Sequence, residues 1–424
     1  MNIVMLTNTF SPHVGGVARS VTAFAAEYRR RGHRVIVVAP EFPGMPSKET
    51  DVVRIPAIQQ FNGSDFSVVL PVSGLLTATL DGFRPDLVHS HHPYLLGMTA
   101  VRIARYRRLP LVFTHHTLYE QYTHYVPGSS PAMARFVIEL ATRYANLTDQ
   151  VFAPSQSVAT LLRGRGVRRP IAVVPTGVDL AWFGRGDGRR VRAELGIADD
   201  AFLVGYVGRL APEKNLGFLA EVLARLLTAE PRVHALIAGK GPEENAIRQR
   251  LGEFAAQGRL HMPGVYDYSR LPDLYHALDV FAFSSLSETQ GMVLTEALAA
   301  GVPAVALDAS GVREVVRDGH NGRLLHERAP EAFVAALRAL MALPLAERRR
   351  LQLGARQTAA EFSSEITAQR ALEHYAALRR QAYVDRTPEI EQWERTLDLI
   401  KAEWEIVKGV AGAAGAAFGS ESAM

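Results

Sequence analysis

Residues 3–17 read Ile3-Val4-Met5-Leu6-Thr7-Asn8-Thr9-Phe10-Ser11-Pro12-His13-Val14-Gly15-Gly16-Val17. A short apolar run passes into a turn-rich loop, and the loop opens directly into a stretch with helical spacing. Over 17–31 the apolar residues Val17, Val21, Phe24, Ala25 and Tyr28 recur at the helical period, which ends at Arg29-Arg30-Arg31-Gly32. A second apolar run, Val35 to Ala39, follows at once. Strand, helix and strand in that order predict a parallel βαβ unit, the seed of a doubly wound sheet.

The rhythm continues with strand-like runs at Leu87 to Val88, Leu111 to Thr114, Val151 to Ala153 and Ile171 to Val174. A glycine- and charge-rich stretch from Thr176 to Arg190 reads as a linker, and then the pattern restarts. Phe202 to Val207, Val233 to Ala238, Leu260 to Met262, Val280 to Phe283, Ala304 to Leu307 and Arg323 to Leu325 predict six more strands. Helical stretches such as Leu216 to Leu227 and Val293 to Ala300 lie between them. Two Rossmann-like α/β domains in tandem follow, with ligands expected at the carboxyl ends of the strands and therefore in an interdomain cleft. Beyond them, 329–343, 345–362 and 366–384 predict helices, 390–407 an acidic helix with Trp393 and Trp404, and 409–419 a small-residue tail.

The 424 residues are 48% hydrophobic and 21% charged, enough chain and apolar content for two cores and too little net charge for disorder. No cysteine occurs, which excludes a disulfide framework, a cysteine zinc site, an iron–sulfur cluster and a thiolate nucleophile. A reducing cytosol is the expected compartment. Neither a basic leader nor an apolar stretch of about 18 residues is present, so no export signal or membrane span is expected. The net charge of +4 is unevenly spread: Met1 to Pro175 holds 18 Lys/Arg against 10 Asp/Glu, a net of +8, and the remainder 29 against 33, a net of −4. The first half is expected to face something anionic.

Three loops carry chemistry. Gly15-Gly16 at a helix start lets backbone N–H groups approach an anion, or simply serves a tight turn. No GxGxxG follows a strand in the first half, which argues against a dinucleotide dehydrogenase. In Gly208-Arg209-Leu210-Ala211-Pro212-Glu213-Lys214-Asn215, Arg209 and Lys214 at a strand end could neutralise a diphosphate, or form a salt-bridged surface loop. In Ser287-Glu288-Thr289-Gln290-Gly291-Met292-Val293-Leu294-Thr295-Glu296, the backbone N–H groups of Gln290, Gly291 and Met292 would cap a helix and face a phosphate. Glu288 and Glu296 would flank it, and carboxylates suit paired hydroxyls because they only accept hydrogen bonds. A glutamate at a helix start is also an ordinary dipole partner. His89, His91, His92, His115 and His116 follow two strands, but strand-end loops give no helical i, i+4 pair and no matched carboxylate, so no metal is expected.

These motifs, in this order over 1–382, resemble the retaining family 4 glycosyltransferases of the GT-B fold. The resemblance implies two facing Rossmann-like domains: 1–177 for the acceptor, with 364–386 crossing back to it, and 190–363 for a nucleotide-sugar donor, leaving 387–424 as a tail. It implies that Arg209 and Lys214 hold the donor diphosphate with backbone help at Gly15 and Gly16. Glu296 would take the ribose hydroxyls, Glu288 the transferred sugar, and His116 would line the reaction face. It also implies front-side transfer with retention and no metal or other cofactor.

The segment from Thr114 to Pro127, with Tyr119, Tyr122 and Tyr125 at three-residue intervals, is most similar to bacterial glucosyltransferases acting on diacylglycerol or glucosyl-diacylglycerol. Arg102, Arg105, Arg107 and Arg108, interleaved with Val101, Ile103, Ala104 and Tyr106, suit an anionic lipid surface, and equally a solvated helix face. The expected partners are a UDP-sugar, a lipid acceptor and the inner face of the cell membrane. No nucleic acid is expected, since no base-stacking platform accompanies the charge. A mannosyltransferase on phosphatidylinositol or a soluble sugar is the nearer alternative. A GT-B isomerase or a non-catalytic binding protein is the more distant one.

Overall fold

The computed structural model describes residues 1–13, 15–58, 68–69, 74–120, 131–381, 383–384 and 388–393. The strands of the first half are β1 (Asn2–Leu6), β2 (Arg34–Pro40), β3 (Val52–Ile55), β4 (Ala57–Ile58), β5 (Val68–Val69), β6 (Leu87–Ser90), β7 (Leu111–Thr114), β8 (Gln150–Ala153) and β9 (Ile171–Val173). Seven form one parallel sheet in the order β3-β2-β1-β6-β7-β8-β9, and β4 and β5 make a separate antiparallel pair. Its helices are α1 (Gly16–Arg30), α2 (Gly74–Phe83), α3 (Leu96–Arg107), α4 (Pro131–Leu147) and α5 (Gln156–Gly164). β3 is not among the expected runs, because Val52-Val53-Arg54-Ile55 is short and carries a charge on an edge strand.

The second half repeats the plan. β10 (Phe202–Val207), β11 (Val233–Ala238), β12 (Leu260–Gly264), β13 (Val280–Phe283), β14 (Ala304–Leu307) and β15 (Gly322–Leu325) form a six-stranded parallel sheet in the order β12-β11-β10-β13-β14-β15. The expected linker contains two short helices, α6 (Leu180–Phe183) and α7 (Gly188–Glu194), capped by Asp179 and Asp187. Further helices are α8 (Leu216–Ala229), α9 (Glu244–Ala256), α10 (Leu271–Ala277), α11 (Met292–Ala299), α12 (Pro330–Met341), α13 (Leu345–Glu361) and α14 (Ser364–Arg379). The strands β7, β8, β10, β13 and β14 are buried at every residue, as a sheet covered by helices on both faces requires. Such strands read as continuous apolar runs, which is why they are visible in the sequence.

In both sheets the order reverses beside the first strand, at β1/β6 and at β10/β13, and loops leaving that switch point are where such sheets bind ligands. The chain crosses between the halves twice. Val178 N–H donates to Phe362 O at 2.8 Å, and Ser364 N–H to Val178 O at 3.0 Å, so the outgoing and returning segments pair with each other. From there α14 returns to the first sheet, burying Ala368, Ala371, Leu372 and Tyr375 against Val21, Phe24 and Tyr28 of α1. The 388–393 turn also packs on the first half: Ile390 and Trp393 are in its core, and the Trp393 indole N–H donates to Met98 Sδ at 2.7 Å. The rest of the expected acidic helix and the small-residue tail lie outside the described residues.

The double crossing leaves no room at Gly177, where a Cβ would lie 2.4 Å from Ser364 Cα and 2.5 Å from Thr367 Oγ1. Gly177→Ala is therefore expected to destabilise the protein by about 1–3 kcal/mol, read as a lowered midpoint in thermal and denaturant unfolding.

Candidate active site

The loops leaving the two switch points face one another. Gly15 caps α1 in an extended conformation with no side-chain cap, and no acidic residue occupies the first turn, so the helix start is electrostatically positive. Opposite, Gly291 adopts φ 72° and caps α11, a left-handed conformation that glycine takes without strain.

The loop after β10 is fastened to the end of β13: Ser284 Oγ donates to the carbonyls of Lys214 and Asn215 at 3.0 and 3.1 Å, and Asn215 Nδ2 returns a bond to Ser284 O. This brings Lys214 Nζ to 2.6 Å from Glu288 Oε1, with both side chains largely buried. Arg209 lies 2.6 Å from Glu213 Oε1 and is the more exposed cation. Both expected diphosphate cations thus carry carboxylate partners.

Two further expected residues reach across to the first half. Gln290 is buried, and its side-chain amide takes both backbone groups of Thr176: Thr176 N–H donates to Oε1 at 2.6 Å and Gln290 Nε2 donates to Thr176 O at 2.7 Å. The Thr176 hydroxyl bonds Ser20 of α1 at 2.7 Å. Glu296, also buried, accepts from Arg19 of α1 at one oxygen and from the Tyr275 hydroxyl at the other, the latter at 2.8 Å. Burial pushes the Glu296 carboxyl above its usual range, against the pull of Arg19 and of the Tyr275 hydroxyl. A third contact joins Glu314 to the first turn of α5, where Ser157 N–H donates to its Oε1 at 2.8 Å.

On the first-half side the end of β6, which holds His89 in the strand rather than in the loop expected after it, and the loops after β6 and β7 bring the five histidines together. His89 bonds Thr114 Oγ1 at 2.7 Å and the Tyr375 hydroxyl at 2.6 Å, and His92 Nδ1 accepts from Asn8 N–H at 3.1 Å, so both are held by the fold. His91 Nδ1 and His116 Nε2 share a hydrogen bond of 2.9 Å, and His116 is the partly exposed member. Desolvation holds His89, His92 and His115 at about 3 and lowers His91 and His116 well below the usual imidazole value. All five are neutral at physiological pH. Among the described residues, no three of His, Cys, Asp or Glu converge in a way that could hold a metal.

On α3 Arg102 and Arg105 are exposed, as is Arg108 at its C-cap, and Tyr106 is 83% exposed, while Arg107 is held by Asp81 at 2.6 Å. The opposite face, with Met98, Ala100, Val101 and Ala104, is in the core. Tyr119 packs edge-on against Tyr94 and His115, at ring distances of 5.6 and 5.9 Å. Tyr122 and Tyr125 lie outside the described residues. Among the described residues, no helix is long and apolar enough to cross a membrane.

Sequence reasoning missed Arg19, Thr176, Tyr275 and Glu314. Arg19 had a signal, since it sits one turn inside the helix opened by Gly15-Gly16. Thr176 and Glu314 act through contacts between the halves, and Tyr275 through a contact between α10 and α11, none of which a local pattern encodes.

Residues 14–182 match the family described as Glycosyltransferase Family 4, and residues 187–358 match Glycosyl transferases group 1. An alpha-monoglucosyldiacylglycerol synthase of Streptococcus pneumoniae is 29% identical over 350 residues, 81% of this chain and 79% of that protein. A GDP-mannose-dependent alpha-mannosyltransferase of Mycobacterium tuberculosis is 30% identical over 395 residues, 89% of this chain and 97% of that protein. Among solved structures, Anabaena Alr3699/HepE in complex with UDP superposes with a TM-score of 0.71 at 22% identity, covering 89% of this chain and all of that one, a likeness of fold.

The histidine cluster has a measurable consequence. An imidazole with a folded value near 3 and an unfolded value near 6.5 binds its proton mainly in the unfolded state between those limits. Stability is therefore complete above the unfolded value and falls as pH drops below it, by about 1.4 kcal/mol per pH unit for each such group. His115 packs edge-on against Phe113 and Tyr119 and, among the described residues, neither ring nitrogen has a hydrogen-bond partner, so His115→Phe removes one titrating group without stranding a described partner. Denaturant unfolding at pH 7 and pH 5 should show a smaller acid loss in His115→Phe than in wild type.

Proposed function

We propose, for a chain that belongs to the family 4 glycosyltransferases, that it moves glucose or galactose from a UDP-sugar to a lipid hydroxyl, such as that of diacylglycerol or a glycosyl-diacylglycerol, at a membrane surface. The observation that carries the reading is the Lys214–Glu288 couple at the ends of β10 and β13, placed opposite the start of α1 by the Arg19–Glu296 contact. A cation and a hydroxyl-accepting carboxylate within 2.6 Å of each other suit the junction between a diphosphate and a hexose.

In this reaction the bond from the anomeric carbon to the diphosphate oxygen breaks and a bond from the acceptor oxygen forms on the same face. The acceptor proton passes to the departing diphosphate. Arg209 and Lys214 stabilise the charge that develops there, a role that needs no metal. Glu296 takes the ribose hydroxyls, Glu288 the hexose hydroxyls, and neutral His116 helps orient the sugar. Backbone N–H groups at Gly15, Gly16, Gly291 and Met292 complete the anion site.

Support for a lipid acceptor comes from the +8 balance of the first half and from Tyr106, exposed among arginines on α3, a combination suited to the boundary between anionic headgroups and acyl chains. The name of the pneumococcal relative points the same way. The localisation that follows is peripheral, on the inner face of the cell membrane. A second reading, GDP-mannose as donor, is favoured by the mycobacterial relative, which this chain matches over 97% of that protein's length.

Incubation of the full chain with UDP-glucose, UDP-galactose or GDP-mannose and vesicles holding diacylglycerol or phosphatidylinositol, followed by lipid mass spectrometry, separates these readings. UDP-dependent glycosyl-diacylglycerol is the expected product, and product only from GDP-mannose would replace it with the second reading. Lys214→Ala and Glu288→Ala should each lower kcat/KM by about 100-fold or more. In co-sedimentation with anionic vesicles, a variant carrying Arg102→Glu, Arg105→Glu, Arg108→Glu and Tyr106→Ser should remain in the supernatant at low salt, each lost arginine removing about 1 kcal/mol of binding.

A further inference from the structure

Glu296 is held by residues from both halves of the molecule. Arg19 of α1 donates to Oε1 through Nη2, Tyr275 of α10 donates to Oε2, and the carboxylate side chain is 3% exposed. Both oxygens are thus engaged by protein donors at the position where the proposed reaction needs a carboxylate for a ribose diol.

The two ends of the ion pair are not alike. The Glu296 side chain is 3% exposed, whereas that of Arg19 is 29% exposed. The guanidinium lies 5.3 Å over the ring of Tyr268, itself 52% exposed. Tyr268 in turn stacks on Trp182 of α6, with centroids 6.2 Å apart and planes inclined by 16°. Trp182, on the segment that joins the halves, is 37% exposed. Arg19 therefore has an outward path past an aromatic surface, and Glu296 can change partner only if Arg19 leaves.

We propose that Arg19 sets donor affinity as a displaceable latch: its guanidinium and the ribose diol of the nucleotide compete for Glu296. The inference rests on the glycosyltransferase reading above. The exchange is chemically balanced, because two hydroxyl donors replace the guanidinium on a carboxylate that cannot be left bare in a buried site, and the Tyr275 bond persists throughout. The displaced guanidinium moves outward along the Tyr268–Trp182 surface. Without a donor, the same ion pair ties α1 to α11.

The two rival roles for Arg19 make different predictions. A purely structural ion pair would leave nucleotide affinity unchanged on substitution, and a diphosphate ligand would weaken it. The test is calorimetric titration of the full chain with UDP and with 2′,3′-dideoxy-UDP, in wild type, Arg19→Met and Arg19→Lys. For Arg19→Met, UDP should bind about fivefold tighter, with no gain for the dideoxy nucleotide. Arg19→Lys, with a point charge in place of the planar fork, should fall between and covers the case in which Arg19→Met folds poorly.

Tryptophan emission provides a second readout. UDP should shift the emission of wild type and not that of Trp182→Phe, and Arg19→Met should show the shifted emission before UDP is added. Unchanged or weaker UDP affinity in Arg19→Met, or an equal gain for dideoxy-UDP, overturns the latch while leaving the proposed function standing. If GDP is the nucleotide bound, the same comparison applies with GDP and its dideoxy analogue. Wild type that binds neither UDP nor GDP overturns both.

Discussion

Both backbone polar groups of Thr176 end on a single side chain, the amide of Gln290, and the arrangement of the two halves depends on that contact. Thr176 lies where the chain has left the first sheet and has no strand to pair with. A buried N–H and C=O must still find partners, and a carboxamide supplies one acceptor and one donor in the right spacing. Because Gln290 stands in the loop that caps α11, satisfying the linker also fixes the loop. The Thr176 hydroxyl extends the same network to Ser20, so α1, the linker and the second sheet's switch-point loop form one unit.

The contacts across the cleft divide charge unevenly. The second half contributes Arg209, Lys214, Glu288 and Glu296, while the loops of the first sheet contribute neutral imidazoles held by burial. In the proposed reaction this asymmetry has a use. Negative charge grows on the leaving diphosphate, where cations stand, and the acceptor hydroxyl approaches past neutral imidazoles. Of the first half's arginines, Arg19 reaches Glu296, while Arg102, Arg105 and Arg108 lie exposed on α3 and at its C-terminal end.

Position decides which histidines are structural. His89 is locked between Thr114 and Tyr375, and Tyr375 belongs to α14, the helix that returns from the second half. The returning helix thus braces the end of β6 that leads to the His91–His116 pair, and a segment with no chemistry of its own bears on the candidate site.

The sequence alone was enough to determine the two parallel sheets, since strands buried on both faces must be continuous apolar runs and the helices between them must show the 3.6 period. The edge strand β3 escaped because an edge needs neither length nor full burial. The three loops were legible too, because glycine, paired cations and spaced glutamates are local features whose residue types state their chemistry. Tertiary structure alone decided what those groups do in the resting molecule: that Lys214 rests on Glu288, that Gln290 clasps the linker, and that Glu296 is already occupied by Arg19, 277 residues away. Lys214 meets Glu288 through neighbouring strands of one sheet, while the other two contacts form only where the two halves meet, and no local spacing records where either partner will lie.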